Sequence, residues 1–188
     1  VDVTHTTSQL IAVRLQPMEI PLPQDRYGVR VGGCQVLPED PITTAGDAQL
    51  KAAQITGECG DGPMDNNPRT RPGEYKHKLA AQPAAGTVCS VSLEDAVLKL
   101  PPLPETPDVV LDGRDLTWTP TGADEVRVVA LTEAGTLLCR YPDQGTARLP
   151  RSPLPGRVYV SRYAYGQGEL AGELVPLAAT VGITLQVP

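Results

Sequence analysis

Nucleophilic catalysis needs a nucleophile, a base and a group that orients the base, and this chain offers few bases. Its two histidines are His5, near the N-terminus, and His77, inside the charged stretch Glu74-Tyr75-Lys76-His77-Lys78, which reads as solvated surface. No GxSxG, HExxH or Gly-rich phosphate loop occurs. Acidic residues number 22, yet their spacing selects no carboxylate pair for acid–base work. No catalytic residue is assigned, no cofactor is required, and the chain is expected not to be an enzyme.

The residues that remain could link, ligate or bind. Cys34, Cys59, Cys89 and Cys139 contain no CxxC pair, whereas a zinc site needs closely spaced ligands. The four are therefore expected in disulfides, in an oxidising, extracytoplasmic compartment. Three pairings are open, and the shortest local loop favours Cys34–Cys59 with Cys89–Cys139. One loop, Glu58 to Asn67, clusters hard oxygen ligands among glycines, and Asp61, Asp65 and Asn66 are its candidate Ca²⁺ ligands. It lacks EF-hand spacing, and Asp and Asn also populate turns because they tolerate left-handed backbone.

The third candidate is aromatic. On an unbulged strand Tyr159, Ser161, Tyr163 and Tyr165 share one face, and Val158, Val160, Arg162 and Ala164 share the other. With Val158 and Val160 drawn to a core, the tyrosines are expected to face outward beside Arg157 and Arg162. Exposed Tyr with Arg is favoured at protein interfaces and suits stacking on sugars. The plainer alternative is that Tyr159 packs at a sandwich corner and the other rings merely cover an open sheet face.

Strands must position these groups. Among 188 residues there are 20 Pro and 18 Gly, one Trp and no Phe. A proline inside a helix costs about 3 kcal/mol, so a bundle of long helices is excluded. No apolar run approaches the roughly 18 residues of a membrane span. The formal charge of −6 and pI near 4.9 leave no basic face of the kind nucleic-acid binding requires. Arg outnumbers Lys twelve to four, which with abundant Ala, Gly and Pro suggests a GC-rich bacterial gene. The sequence opens at Val1 without Met, so a signal peptide or lipoprotein leader is expected to have been removed, or a longer protein to precede it.

Four prolines fall within Pro101 to Pro107, favouring extended polyproline backbone. That segment is read as a semi-rigid linker between an N-terminal β-rich domain, 1–100, and a second domain, 108–188. In the second half Leu116 and Trp118 alternate with Thr117 and Thr119. Strands follow at 126–131 and 136–141, joined by Glu133-Ala134-Gly135 as a three-residue hairpin turn, and then at 146–149, 157–165 and 181–187. In the first half 10–15, 28–31, 86–91 and 96–100 read as strands, 47–55 as strand rather than helix, and 57–73 as a loop. Val29-Arg30-Val31 recurs as Val126-Arg127-Val128, as tandem sandwiches would produce.

Leu116-Thr117-Trp118-Thr119-Pro120 resembles the second-strand motif of fibronectin type III domains, whose Trp fills the core between the sheets. Tyr159 to Gly168 is similar to that family's sixth strand and following loop. The resemblance covers 107–188; it lacks the usual third-strand aromatic between Glu125 and Leu131, and its sixth-strand spacing is off by one. It implies an all-β fold of two small Ig-like or fibronectin-like sandwiches in tandem, as in the ectodomains of bacterial lipoproteins and secreted proteins. The expected function is a structural, adhesive or protein-interaction module of the cell envelope, periplasm or extracellular space, whose partner is another envelope or extracellular protein. The alternative is a carbohydrate- or calcium-binding accessory domain that takes a glycan or Ca²⁺.

Overall fold

The alternation that begins at Leu116 carries through to the end of the chain as strands. The computed structural model describes residues 6–9, 28–37, 53–63, 65–66, 75–76, 83–93, 96–170 and 172–188, and these contain no helix. His5, His77, the strand expected at 10–15 and positions 47–52 lie outside them. The first half contributes β1 (Thr6–Gln9), β2 (Cys34–Val36), β3 (Ala53–Thr56), β4 (Gly62–Pro63), β5 (Asp65–Asn66), β6 (Tyr75–Lys76), β7 (Ser90–Leu93) and β8 (Ala96–Lys99). The second half contributes β9 (Val110–Asp112), β10 (Asp115–Thr117), β11 (Glu125–Thr132), β12 (Gly135–Tyr141), β13 (Thr146–Arg148), β14 (Gly156–Leu170) and β15 (Glu173–Val187).

All pairings between these strands are antiparallel. The largest sheet runs β1-β15-β14-β11-β12-β2, and a three-stranded sheet runs β13-β10-β9. One apolar core lies between them, with Leu116, Trp118 and Leu149 meeting Val126, Val128, Leu137, Val158, Val160 and Ile183. These are the positions that period-two alternation turns to one face of each strand. The β11–β12 turn is tighter than expected: Thr132 pairs directly with Gly135, leaving only Glu133 and Ala134 in the loop. Gly135 has φ 107°, which a residue with Cβ would resist.

A second core forms where β7, β8 and β3 meet the far end of the β14–β15 hairpin. Ile55, Val91, Leu98, Leu100 and Leu103 pack there against Leu177, Ala179 and Val181. One face of β15 thus serves both cores in sequence, since Leu177, Ala179 and Val181 belong to one and Ile183 and Leu185 to the other. The fifteen-residue strands β14 and β15 run well past the ends expected at 165 and 181. Gly166-Gln167-Gly168, expected as a loop, continues the strand. A Cβ on Gly166 would stand 2.8 Å from Pro101 Cγ, and one on Gly168 would stand 3.0 Å from Leu98 Cδ2, so these glycines admit the first-half lobe.

The expected strand at 28–31 is replaced by irregular chain and a turn, and the strand begins at Cys34. Gly32, at φ 88°, reverses the chain there, and the Gly32 N–H and Gly33 carbonyl bond the Arg140 backbone. The Val29-Arg30-Val31 echo of β11 is therefore not a structural repeat. Likewise 86–89 is not assigned as strand, but it bonds the proline segment: Leu103 N–H donates to Thr87 O, Gly86 N–H to Leu103 O, and Leu100 N–H to Cys89 O. Pro101, Leu103 and Pro107 are buried.

Candidate functional site

The outer face of the six-stranded sheet, away from β9, β10 and β13, collects the polar chemistry. Alternation on β11 sends Val126 and Val128 to the core and Glu125, Arg127 and Val129 outward. Register sets Glu125 opposite Tyr163, Arg127 opposite Ser161 and Val129 opposite Tyr159. Tyr159, Tyr163 and Tyr165 therefore share the outer face, as the sequence pattern requires. They differ in environment. Tyr159 is 45% exposed and neighbours Val129; Leu131, on the same face of β11, is 53% exposed. Arg157 is exposed at the same end of β14.

Tyr163 and Tyr165 instead roof an ion cluster. Their rings stack with centroids 6.0 Å apart, and the Arg127 guanidinium lies 4.1 Å from the Tyr163 centroid, within cation–π range. Arg127 and Arg140 both ion-pair with Glu125, and Glu125 and Arg140 are fully buried. The Tyr165 hydroxyl accepts from Arg127 Nη2 at 2.7 Å and Arg140 Nη2 at 3.3 Å. Burial pushes the Tyr165 phenol well above its ordinary range, against the nearby Arg127 charge. Arg140 Nη1 also donates to the Val29 carbonyl, which ties residues 28–33 to the sheet. A buried carboxylate with two guanidiniums satisfies the rule that buried charge must be paired. The cluster is a fastening of the sheet.

Arg162 does not stand beside the tyrosines. It follows Val158 and Val160 to the other face, where it is 1% exposed and donates to the carbonyls of Thr106 and Thr119 and to Asp108 Oδ1. Asp108 also accepts from Thr119 N–H at 3.0 Å. The Thr119 bond, with the Arg162 charge adding less, holds its carboxyl below the usual value.

The disulfides are Cys34–Cys139 and Cys59–Cys89, which corrects the pairing favoured by loop length. Strand register decides the first, because β2 pairs β12 with Cys34 directly opposite Cys139. The second ties the loop after β3 to the chain before β7. Of the candidate calcium ligands, Asp61 accepts the Gly57 N–H at 3.0 Å, closing a loop in which Gly57 and Gly60 have positive φ. Asp65 and Asn66 lie in β5, paired with Lys76 and Tyr75. Among the described residues no group of three His, Cys, Asp or Glu side chains is placed to hold a metal ion, and no helix is long and apolar enough to cross a membrane.

Sequence reasoning missed the Glu125–Arg140–Arg127 cluster and the buried setting of Arg162. The available signal was alternation: Glu125 and Arg127 bracket Val126 on one strand, which places two opposite charges on one face. Fold and site together define an all-β, doubly disulfide-bonded protein with tyrosines along the outer face of its largest sheet. No family model matches the chain, and no curated protein or solved structure matches it significantly.

Proposed function

We propose that this chain is a non-enzymatic interaction module of a bacterial envelope or secreted protein, binding another extracytoplasmic protein through the outer face of its large sheet. The observation that carries the reading is the strip of Tyr159, Val129 and Leu131 at one end of that face. Tyr159 and Leu131 are about half exposed, and Arg157 borders them. An exposed tyrosine bordered by an arginine is the composition from which interface hot spots are built, and the aliphatic neighbours extend its apolar contact. The two disulfides fit an oxidising compartment.

The fibronectin type III-like reading of 108–188 has support from strand partition. The first, second and fifth strands of that half (β9, β10, β13) form one sheet, and the third, fourth, sixth and seventh (β11, β12, β14, β15) belong to the other. Immunoglobulin-like sandwiches divide their strands in this manner, and Trp118 lies in the core between the sheets. Fold alone does not carry the function, so the test addresses the strip. Cross-linking in intact envelopes, read by mass spectrometry, should give a protein adduct that the Tyr159→Ala/Leu131→Ser variant loses. The variant's melting temperature should stay within about 2 °C, as expected for surface changes. An adduct unaffected by the variant would refute the strip as the binding face. A glycan-array signal lost with Tyr159→Ala would instead favour a carbohydrate ligand.

A further inference from the structure

The two cores share one hairpin, and the residue at their junction is neither apolar nor small. Along the inner face of β14, Val158 and Val160 belong to the second-half core, while Gly168 approaches Leu98 and Leu177 of the first-half core. Between them stands Arg162, paired across the hairpin with Val181, which is itself a member of the first-half core.

We propose that Arg162 is an elbow lock, which fastens the 105–108 crossing onto β14 so that the first-half sheet and the second-half sandwich move as one rigid body. Its terminal nitrogens reach two separate pieces of chain: the crossing, through the Glu105 and Thr106 carbonyls and Asp108, and the Thr119 carbonyl after β10. Nε has no acceptor among the described residues, so those terminal contacts hold the side chain. A planar guanidinium can serve several acceptors in fixed directions, which a lysine ammonium on a mobile stem cannot. Arg162 itself is buried, so its bonds to the Thr106 and Thr119 carbonyls carry the lock, while the half-exposed Asp108 carboxylate adds less restraint. Two further contacts resist hinging at the prolines. Pro101 seats on Gly166 with no room for a Cβ, and Leu103 exchanges two backbone hydrogen bonds with 86–87. The mechanical consequence is that the Tyr159 strip is presented at a fixed angle to the first-half lobe, whatever binds it.

Backbone residual dipolar couplings of the intact protein test this. One alignment tensor should fit the N–H vectors of 83–93 and 96–103 together with those of 110–170. In Arg162→Met, which keeps the bulk and removes the donors, two tensors of different magnitude should be needed. Arg162→Lys, which keeps the charge, should fall between, and it carries the test if the Met variant does not fold. A wild-type protein that already needs two tensors would overturn the rigid body. Variants that still fit one tensor would overturn the role of Arg162. Neither outcome depends on whether the Tyr159 strip binds a partner.

Discussion

A buried indole N–H must find an acceptor, and for Trp118 that acceptor is Asp143, at 2.7 Å. The other Asp143 oxygen takes the N–H groups of Thr121 and Ala123, so one carboxylate organises the connection from β10 to β11. Burial alone would raise its pKa, but the bonds from Thr121, Trp118 and Ala123 outweigh that and leave it below the ordinary 3.8. The stabilisation is therefore complete above the ordinary value and is lost as pH falls through the lower, folded one. Asp143→Asn should cost about 1–3 kcal/mol at pH 7 and flatten the acid limb of stability, measured by urea titration of Trp118 fluorescence from pH 7 to 2. Glu125 poses the sharper test. Removing one partner of a buried pair costs about 3–5 kcal/mol, so Glu125→Ala should unfold at markedly lower urea. Glu125→Leu combined with Arg140→Leu should lose less than the two single changes summed. The sequence makes Asp143 and Glu125 look like ordinary turn and strand-start residues. Their partners lie on other strands, which only register brings together.

Most second-half strands were legible because they carry their own alternation, and Val126-Arg127-Val128 or Val158-Tyr159-Val160 states which face is buried without reference to any neighbour; the three-residue β9 was not. The first-half strands were legible only in part: the segment at 96–100 is β8, and those at 86–91 and 47–55 overlap β7 and β3, but pieces of two to four residues hold too few periods to fix their ends. The hairpin of β14 and β15 lies between these cases. Its core half showed plainly, but beyond Tyr165 the inner face is Gly166 and Gly168, and glycine in sequence reads as a break. Only the lobe packed against them shows why the strand continues. Gly168→Val should therefore destabilise by about 1–3 kcal/mol through overpacking, because its Cβ would meet Leu177 Cδ1 at 2.9 Å and Leu98 Cδ2 at 3.0 Å. Gly122→Ala is the contrasting control. A Cβ there meets nothing within 4 Å, so only the positive φ of 82° should cost it, about 1 kcal/mol. Denaturant midpoints of the two variants should separate accordingly.

At the scale of the whole molecule, the two halves are joined at more places than the proline segment. β1 and β2 from the first hundred residues complete the large sheet at its two edges, and Cys34–Cys139 closes a loop of sequence separation 105 that spans the segment. Loop length suggested the opposite pairing from sequence because it weighs only the unfolded chain. In the fold, a cysteine bonds to whichever partner the register sets across from it. The chain-entropy relation gives about 4.7 kcal/mol for the longer loop and about 3.7 for Cys59–Cys89, whose separation is 30. Cys34→Ala/Cys139→Ala should therefore lower unfolding free energy more than Cys59→Ala/Cys89→Ala. A non-reducing peptide map should yield 34–139 and 59–89 fragments, and a 34–59 fragment would contradict the sheet register itself. The same connections bear on cooperativity. Trp118 reports only the second half, whereas far-ultraviolet circular dichroism reports both. If the shared hairpin, the disulfide and β2 couple the halves, the two probes should give one coincident urea transition. With Cys34→Ala/Cys139→Ala the dichroism transition should begin earlier than the fluorescence one, because the first half then loses its covalent hold on β12.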